Sequence, residues 1–321
     1  MSAETIDRRL LVSVVIPAHN AASTLGDQLD ALHAQINAPS FEVLICDNNS
    51  TDGTAARALE WSGKLNLRIV DATGPGSASF ARNRGAEAAR SEVLLFCDAD
   101  DLVGPTWVSA LSQPLLTQEN LLVAGALRHE RFNPPDLRYA YDIPDDSPEE
   151  RPSGDTAPPF AGYLASVTGS NFGASRRLYL SVGGMDASYP GGSEETDFSW
   201  RAQEAGGSVI TAPLAVVHYR LRDSPSTIHR QQRIQQYARV LLWTRFRDKG
   251  MTGPSTFYSV REVINNVVPA VLTRNPRTKM RAHRILGGNL GALQGILVFR
   301  LLRRRPQSAS EWWAHPEASD E

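Results

Sequence analysis

The sequence predicts an α/β fold: a mostly parallel sheet flanked by helices, with a helical region following it. Three observations carry this expectation. Four short runs at 10–18, 42–47, 65–72 and 92–98 are rich in Val, Ile and Leu and too short for helices, as strands buried on both faces are. Helical patterns at 21–36, 51–61 and 77–90 separate them, and strands joined through helices pair in parallel. Beyond residue 220 the chain reads as helix alone.

Taken in order, the first run ends in Pro17-Ala18-His19-Asn20, and a helix follows over 21–36. The second run closes on Asp47-Asn48-Asn49-Ser50, with Ser50 and Asp52 placed ahead of the next helix. After the third run, Gly74-Pro75-Gly76-Ser77 forms a glycine turn, and Ser77 is a plausible N-cap because its hydroxyl can accept from a first-turn amide. The fourth run opens into Asp98-Ala99-Asp100-Asp101 and a helix near 105–111. Further strands are expected at 122–129 and 208–220, the latter ending near His218, and a helix begins at Ser193. Residues 133–159 hold seven prolines, which predicts a functional or disordered loop. The polar residues 306–321 are expected to be a disordered tail.

With 321 residues and 41% hydrophobic content, the chain can bury a large core, and a domain over 1–220 with an appendage over 221–305 is expected. Cys46 and Cys97 fall inside the apolar runs, so they read as buried thiols of a reducing, cytoplasmic compartment rather than a disulfide framework. No segment reaches the roughly 18–20 apolar residues that spanning a bilayer needs, and 1–10 has no apolar leader. Secretion and membrane spanning are not expected.

The net charge of −2 hides an asymmetry. Residues 220–305 hold 18 of the 33 Lys+Arg and 3 of the 35 Asp+Glu, so that segment is +15 and the remainder −17. The stretch 296–305 joins an apolar run to Arg303-Arg304-Arg305. It could dock peripherally on an anionic membrane, at the inner face of the plasma membrane, or simply pack as an appendage with solvated arginines. A nucleic-acid-binding scaffold is the rival reading of the basic segment, and the acidic remainder argues against nucleic acid.

Ligands of a wound α/β sheet bind beyond the carboxyl ends of its strands. The clusters at 17–20, 47–50 and 98–101 all fall there, so one pocket can use all three. Asp98, Asp100 and Asp101 would repel one another in a low-dielectric site unless a cation or a proton intervened. Hard carboxylate oxygens suit Mg²⁺ or Mn²⁺, which bridge to phosphate. The same aspartates also suit a turn and a helix cap. The glycine turn leading into Arg82, Asn83 and Arg84 presents a helix start and arginines, an arrangement that suits a diphosphate.

These segments, Val12-Ser13-Val14-Val15-Ile16-Pro17-Ala18-His19-Asn20, Cys46-Asp47-Asn48-Asn49-Ser50-Thr51-Asp52-Gly53-Thr54, Ala81-Arg82-Asn83-x-Gly85 and Phe96-Cys97-Asp98-Ala99-Asp100-Asp101, resemble in order and spacing the signatures of family 2 inverting glycosyltransferases. Gly183-Gly184-Met185-Asp186 and Glu194-Glu195-x-Asp197 continue the pattern, and the resemblance covers residues 10–220. It implies a GT-A fold with a donor site over about 10–105 and an acceptor side over about 120–220. It also implies a metal-dependent, inverting hexosyltransferase that uses a nucleotide-sugar, a UDP-sugar being favoured, and a saccharide or lipid-linked acceptor of cell-envelope polysaccharide or glycolipid synthesis.

By the same resemblance, Pro17, Ala18, Asn20, Asp47, Asn48, Arg82, Asn83 and Asp98 hold the nucleotide. Asp100 is the metal ligand, with Asp98 serving ribose and metal, and His218 is a candidate further ligand. Glu195 is the candidate base, where many relatives have Asp, with Glu194 and Asp197 as substitutes. Many relatives also have a second aspartate at position 48, so here Asp47 alone would contact the base. A nucleotidyltransferase also pairs aspartates with metal and nucleotide, but leaves the Glu194-Glu195 helix unexplained.

Overall fold

The computed structural model describes residues 10–144, 154–306 and 308. Along the chain run β1 (Val12–Ala18), α1 (Leu25–His33), β2 (Phe41–Asp47), α2 (Thr54–Leu59), β3 (Leu67–Asp71), α3 (Ala78–Ala88), β4 (Val93–Cys97), β5 (Leu102–Val103), α4 (Trp107–Leu115), β6 (Leu121–Arg128) and α5 (Pro135–Ala140). Then come β7 (Asn171–Ser175), α6 (Arg176–Ser181), α7 (Glu194–Glu204), β8 (Ser208–His218), α8 (Pro225–Phe246), α9 (Thr256–Leu272) and α10 (Pro276–Gly295). The strands form one eight-stranded sheet in the order β3-β2-β1-β4-β7-β6-β8-β5.

The first four strands pair in parallel, as their buried apolar runs require. Alternation along β1 divides the core into two layers. Val12, Val14 and Ile16 pack with Leu25, Leu29 and Trp107 on one face, while Val15 packs with Phe80, Phe96, Phe172 and Phe198 on the other. The polar residues among them are satisfied: buried Ser13 donates to Glu42, which also pairs with Arg68 at 2.9 Å. Cys46 and Cys97 are buried free thiols, and burial pushes Cys46 up to about 12.

The sheet is mostly parallel, as expected, with mixed pairing in its second half, where β6 and β8 run parallel. β7 runs antiparallel to both β4 and β6, and β5 antiparallel to β8. β6 slips register against β8 between Gly125 and Ala126. Asn171, fully buried in β7, repairs that slip by donating to the carbonyls of Ala126 (2.9 Å) and Ala215 (2.8 Å) and accepting from the Trp107 indole (2.8 Å). An amide there satisfies backbone groups that the bulge would otherwise leave unpaired at high cost.

Part of the proline-rich stretch is ordered: Pro135 opens α5, where a missing N–H costs nothing. Residues 145–153 of that stretch lie outside the described residues, as does the expected tail apart from Pro306 and Ser308.

The basic helices pack on the sheet domain rather than beside it. Ala238, Leu241, Leu242 and Phe246 of α8 share a core with Tyr189, Trp200, Ile296 and Phe299. α8 and α10 run parallel and close, since a Cβ on Gly287 would meet the His229 carbonyl at 2.4 Å and one on Gly291 the Arg233 carbonyl at 2.1 Å. Arg245 of α8 fastens this unit to the sheet domain through buried Asp186 at 2.7 Å. Among the described residues no helix is long and apolar enough to cross a membrane.

Candidate functional site

β1, β2 and β4 end at one sheet edge, above a cleft of about 580 Å³ lined by Pro17, Ala18, His19, Asn20, Asn48, Ser77, Arg82, Asp98, Asp100 and Arg222. The loops around it are stitched to each other. The Asn20 amide N–H donates to the Ser50 hydroxyl (3.0 Å), and the Thr51 N–H donates to the Asn20 side chain (2.8 Å). Asn20 holds φ 51°, a left-handed conformation that asparagine tolerates.

Asn48 has a reason to be an amide. Its Nδ2 donates to the carbonyls of Ala72 (2.6 Å) and Pro75 (3.1 Å), and its Oδ1 accepts from the Ser77 N–H (3.1 Å). A carboxylate could make only the last bond, so Asn48 fixes the turn that delivers the chain into α3. Ser77 then caps α3 by accepting from Phe80 N. Asp47 is not part of the cleft wall; its Oδ1 accepts from the Ser50 N–H at 3.1 Å.

Arg82 is 4% exposed, and its Nη2 donates to Asp98 at 2.6 Å. Gly85, one turn on, lets α3 lie close to the sheet: a Cβ there would meet Val15 at 2.4 Å and the Cys46 sulfur at 2.6 Å. Asn83 points the other way. It donates to the Met185 carbonyl (2.8 Å) and accepts from both the Met185 N–H (2.9 Å) and the Tyr179 hydroxyl (2.7 Å). The expected nucleotide contact for Asn83 is therefore corrected to a clamp on the Gly183-Gly184 turn. Asn83→Ala should cost on the order of 3 kcal/mol of stability, because it strands buried partners, while leaving nucleotide affinity intact. Urea unfolding and calorimetry would check the two halves separately.

One oxygen each from Asp98, Asp100 and Asp101 lies within 4.8 Å of the others. Asp101 is buried; its Oδ1 accepts from the Arg220 N–H at 2.8 Å, and its Oδ2 is buried with no partner. Burial first, and then the charges of Asp98 and Asp100, raise its carboxyl to about 8. Burial and Asp98 also raise Asp100, which Arg222 opposes from 3.3 Å. An orphaned oxygen among mutually repelling carboxylates is what a hard divalent cation relieves, so these residues fit a metal.

His218 does not join them. Its buried Nδ1 has no partner, and its charged neighbours are Arg131, Glu130 and Arg128, while the next residue, Tyr219, is the one that feels Asp101, Asp98 and Asp100. Tyr219 packs with Leu137, Leu221 and Ile228, and it is Arg220 that meets the aspartates, through its backbone N–H to Asp101 and its Nε to the Asp100 carbonyl. Sequence reading missed Arg220 and Arg222, which were counted with the basic segment.

On α7, Glu194 is buried and its Oε2 accepts from the Gly192 N–H at 2.5 Å. Glu195 is half-buried, and burial followed by the Glu194 charge raises it to about 8, against the pull of Arg82. Arg82 also feels both Asp98 and Glu194, so one guanidinium links the aspartate cluster to the glutamate pair. Asp197 is turned into the protein: it accepts from the Tyr189 hydroxyl (3.1 Å) and from Arg201 (2.6 Å). Its expected role as substitute base is corrected to a structural anchor.

Sheet, cleft and carboxylates together define an α/β protein with an acidic site at its strand ends, and comparison with known proteins narrows it. The chain belongs to glycosyl transferase family 2, whose model matches residues 13–180, and its fold is GT-A. It is 36% identical over 103 residues to validoxylamine A glucosyltransferase of Streptomyces hygroscopicus subsp. limoneus, covering 32% of this chain and 23% of that protein. To the Escherichia coli UDP-Glc:alpha-D-GlcNAc-diphosphoundecaprenol beta-1,3-glucosyltransferase WfgD it is 32% identical over 92 residues, covering 29% and 36%. The match thus spans about a quarter to a third of these relatives' length.

Among solved structures, the mannosyltransferase PcManGT from Pyrobaculum calidifontis, in complex with GDP-Man and Mn²⁺, superposes with a TM-score of 0.61 at 17% identity, over 94% of this chain and 90% of that one. TarS of S. aureus in complex with UDP-GlcNAc gives 0.52 at 15% identity, over 89% and 91%.

Proposed function

We propose that this chain transfers a sugar from a nucleoside diphosphate donor, a UDP-sugar being favoured, to an acceptor hydroxyl with inversion at the anomeric carbon. The observation that carries the reading is Arg82, which lines the cleft, donates to Asp98 at 2.6 Å and lies within electrostatic reach of Glu194 on α7. GDP-Man with Mn²⁺ in one fold neighbour and UDP-GlcNAc in another support the donor class. The diphosphoundecaprenol-linked sugar in WfgD's name supports a lipid-linked acceptor.

Asp98, Asp100 and Asp101 would hold Mg²⁺ or Mn²⁺, which when bound neutralises diphosphate charge. The chain's own residues do the rest. Asn20 and the Asn48-braced turn shape the nucleotide's seat, and Arg82 and Arg222 add positive charge toward the leaving diphosphate. Glu195 takes the acceptor proton, and Glu194 sets its basicity.

The test is product analysis with a panel of nucleotide-sugars. Release of nucleoside diphosphate and transfer to an acceptor support the reading, whereas pyrophosphate release would make the chain a nucleotidyltransferase. Calorimetric titration of UDP and GDP in Mn²⁺ and then in EDTA would name the base.

The raised carboxyls give a signed pH dependence. With Asp101 and Glu195 near 8 in the folded chain and near 4 when unfolded, the folded protein binds more protons between those values. Their contribution to metal-free stability should therefore be full below about pH 4 and be lost as pH rises through about 8. Mn²⁺ competes with protons for the aspartates, so the rise in melting temperature that it produces should be larger at pH 8 than at pH 5.5. Thermal melts in EDTA and in Mn²⁺ across that range would show it.

A further inference from the structure

α9 wears its polarity inside out. Ser259, Glu262, Asn266 and Ala270 turn inward, with Ser259 and Ala270 buried and Asn266 donating to the Glu262 carbonyl at 2.9 Å. Outward stand Phe257, Val260, Ile264, Val267, Val268 and Val271, with Phe257 79% and both Ile264 and Val271 68% exposed. Their spacing draws one apolar stripe down the helix, whereas a helix on a water-facing surface turns such a stripe toward the core. Seventeen residues make it about 25 Å long, far more than the scattered exposed apolar residues of an ordinary surface.

The charge of the segment that follows α9 says what covers this face. Arg261 lies on the outward side of α9, and from residue 274 to 306 the chain carries nine Lys and Arg and no Asp or Glu. Arg274, Arg277, Arg300, Arg303, Arg304 and Arg305 are exposed. A second copy would set these cations against their own kind, while an anionic surface receives both the stripe and the charge. α9 does not qualify as a membrane-crossing helix, so it would lie in the interface plane.

We infer that α9 is a membrane-docking helix that seats the protein on a bilayer containing anionic phospholipid. The 296–305 run contributes charge, and α9 supplies the apolar contact. This inference does not depend on sugar transfer, because vesicle binding is measured without turnover.

The test is co-sedimentation of the full chain with vesicles of phosphatidylcholine alone and with added phosphatidylglycerol, at low and at high salt. The expected result is salt-sensitive binding to the anionic vesicles only, lowered about tenfold or more in the double variant Ile264→Asp, Val268→Asp. Both positions are exposed, so UDP or GDP titration of the same variant should match the unaltered chain and report its folding. No vesicle binding, or binding that the double variant retains, overturns the inference. So does a concentration-dependent dimer that the same substitutions disperse, which would make α9 a contact between copies.

Discussion

Replacing Glu195 by Gln should lower turnover by ~10² to 10⁴-fold, the usual worth of a positioned base, while the affinity for nucleoside diphosphate stays as it was. The separation follows from where the residue sits. Glu195 is half-buried on the first turn of α7, one residue past the buried Glu194, and its link to the donor end runs only through the field of Arg82. A glutamine keeps the shape and loses the proton acceptor.

The pH profile supplies an independent readout. A base works when ionised, so kcat/KM of the unaltered enzyme should rise with pH toward about 8, and the residual activity of Glu195→Gln should lack that limb. Because Glu194 shares the titration, the limb belongs to the pair. Glu194→Gln should shift it to lower pH rather than abolish it, since removing the neighbouring charge makes Glu195 easier to ionise. Steady-state kinetics from pH 5.5 to 9 with a fixed donor would distinguish the two; unchanged turnover in Glu195→Gln would remove it from the chemistry.

How much of this was legible beforehand depended on whether a residue's role was local. β1, β2 and β4 were readable because they are buried along most of their length and therefore mostly apolar. β7 was not, because its Asn-Phe-Gly-Ala-Ser has one large apolar residue and owes its place to Asn171 filling a bulge in a strand over 40 residues away. The aspartates and Arg82 announced themselves as contiguous clusters at strand and helix ends. Arg222 reaches the same cleft from beyond the end of β8, and nothing in its spacing marks it. His218 stands at the end of β8, as expected, but outside the group formed by Asp98, Asp100 and Asp101. The apolar stripe of α9 was readable too, but periodicity predicts that such a stripe faces the core, and here the polar side does.

The aspartate cluster yields the second large effect, and its non-additivity is the stronger test. EDTA should weaken nucleoside diphosphate binding on the order of 100-fold, since the cation is the main counter-charge to the diphosphate. Asp100→Ala should do about the same in Mn²⁺. In that variant, however, EDTA should do little more, because the ligand through which the ion acts has gone. Arg222 provides the contrast: it opposes Asp100 from 3.3 Å and lines the cleft, so Arg222→Ala should weaken nucleotide binding yet leave the full response to EDTA. Calorimetry on the four combinations of Asp100 or Ala with Mn²⁺ or EDTA closes the cycle. A tenfold or larger additional loss in the variant on adding EDTA would place the ion elsewhere. Additivity for Arg222 combined with near-complete coupling for Asp100 would locate it among these carboxylates, whose orphaned oxygen a cation would satisfy.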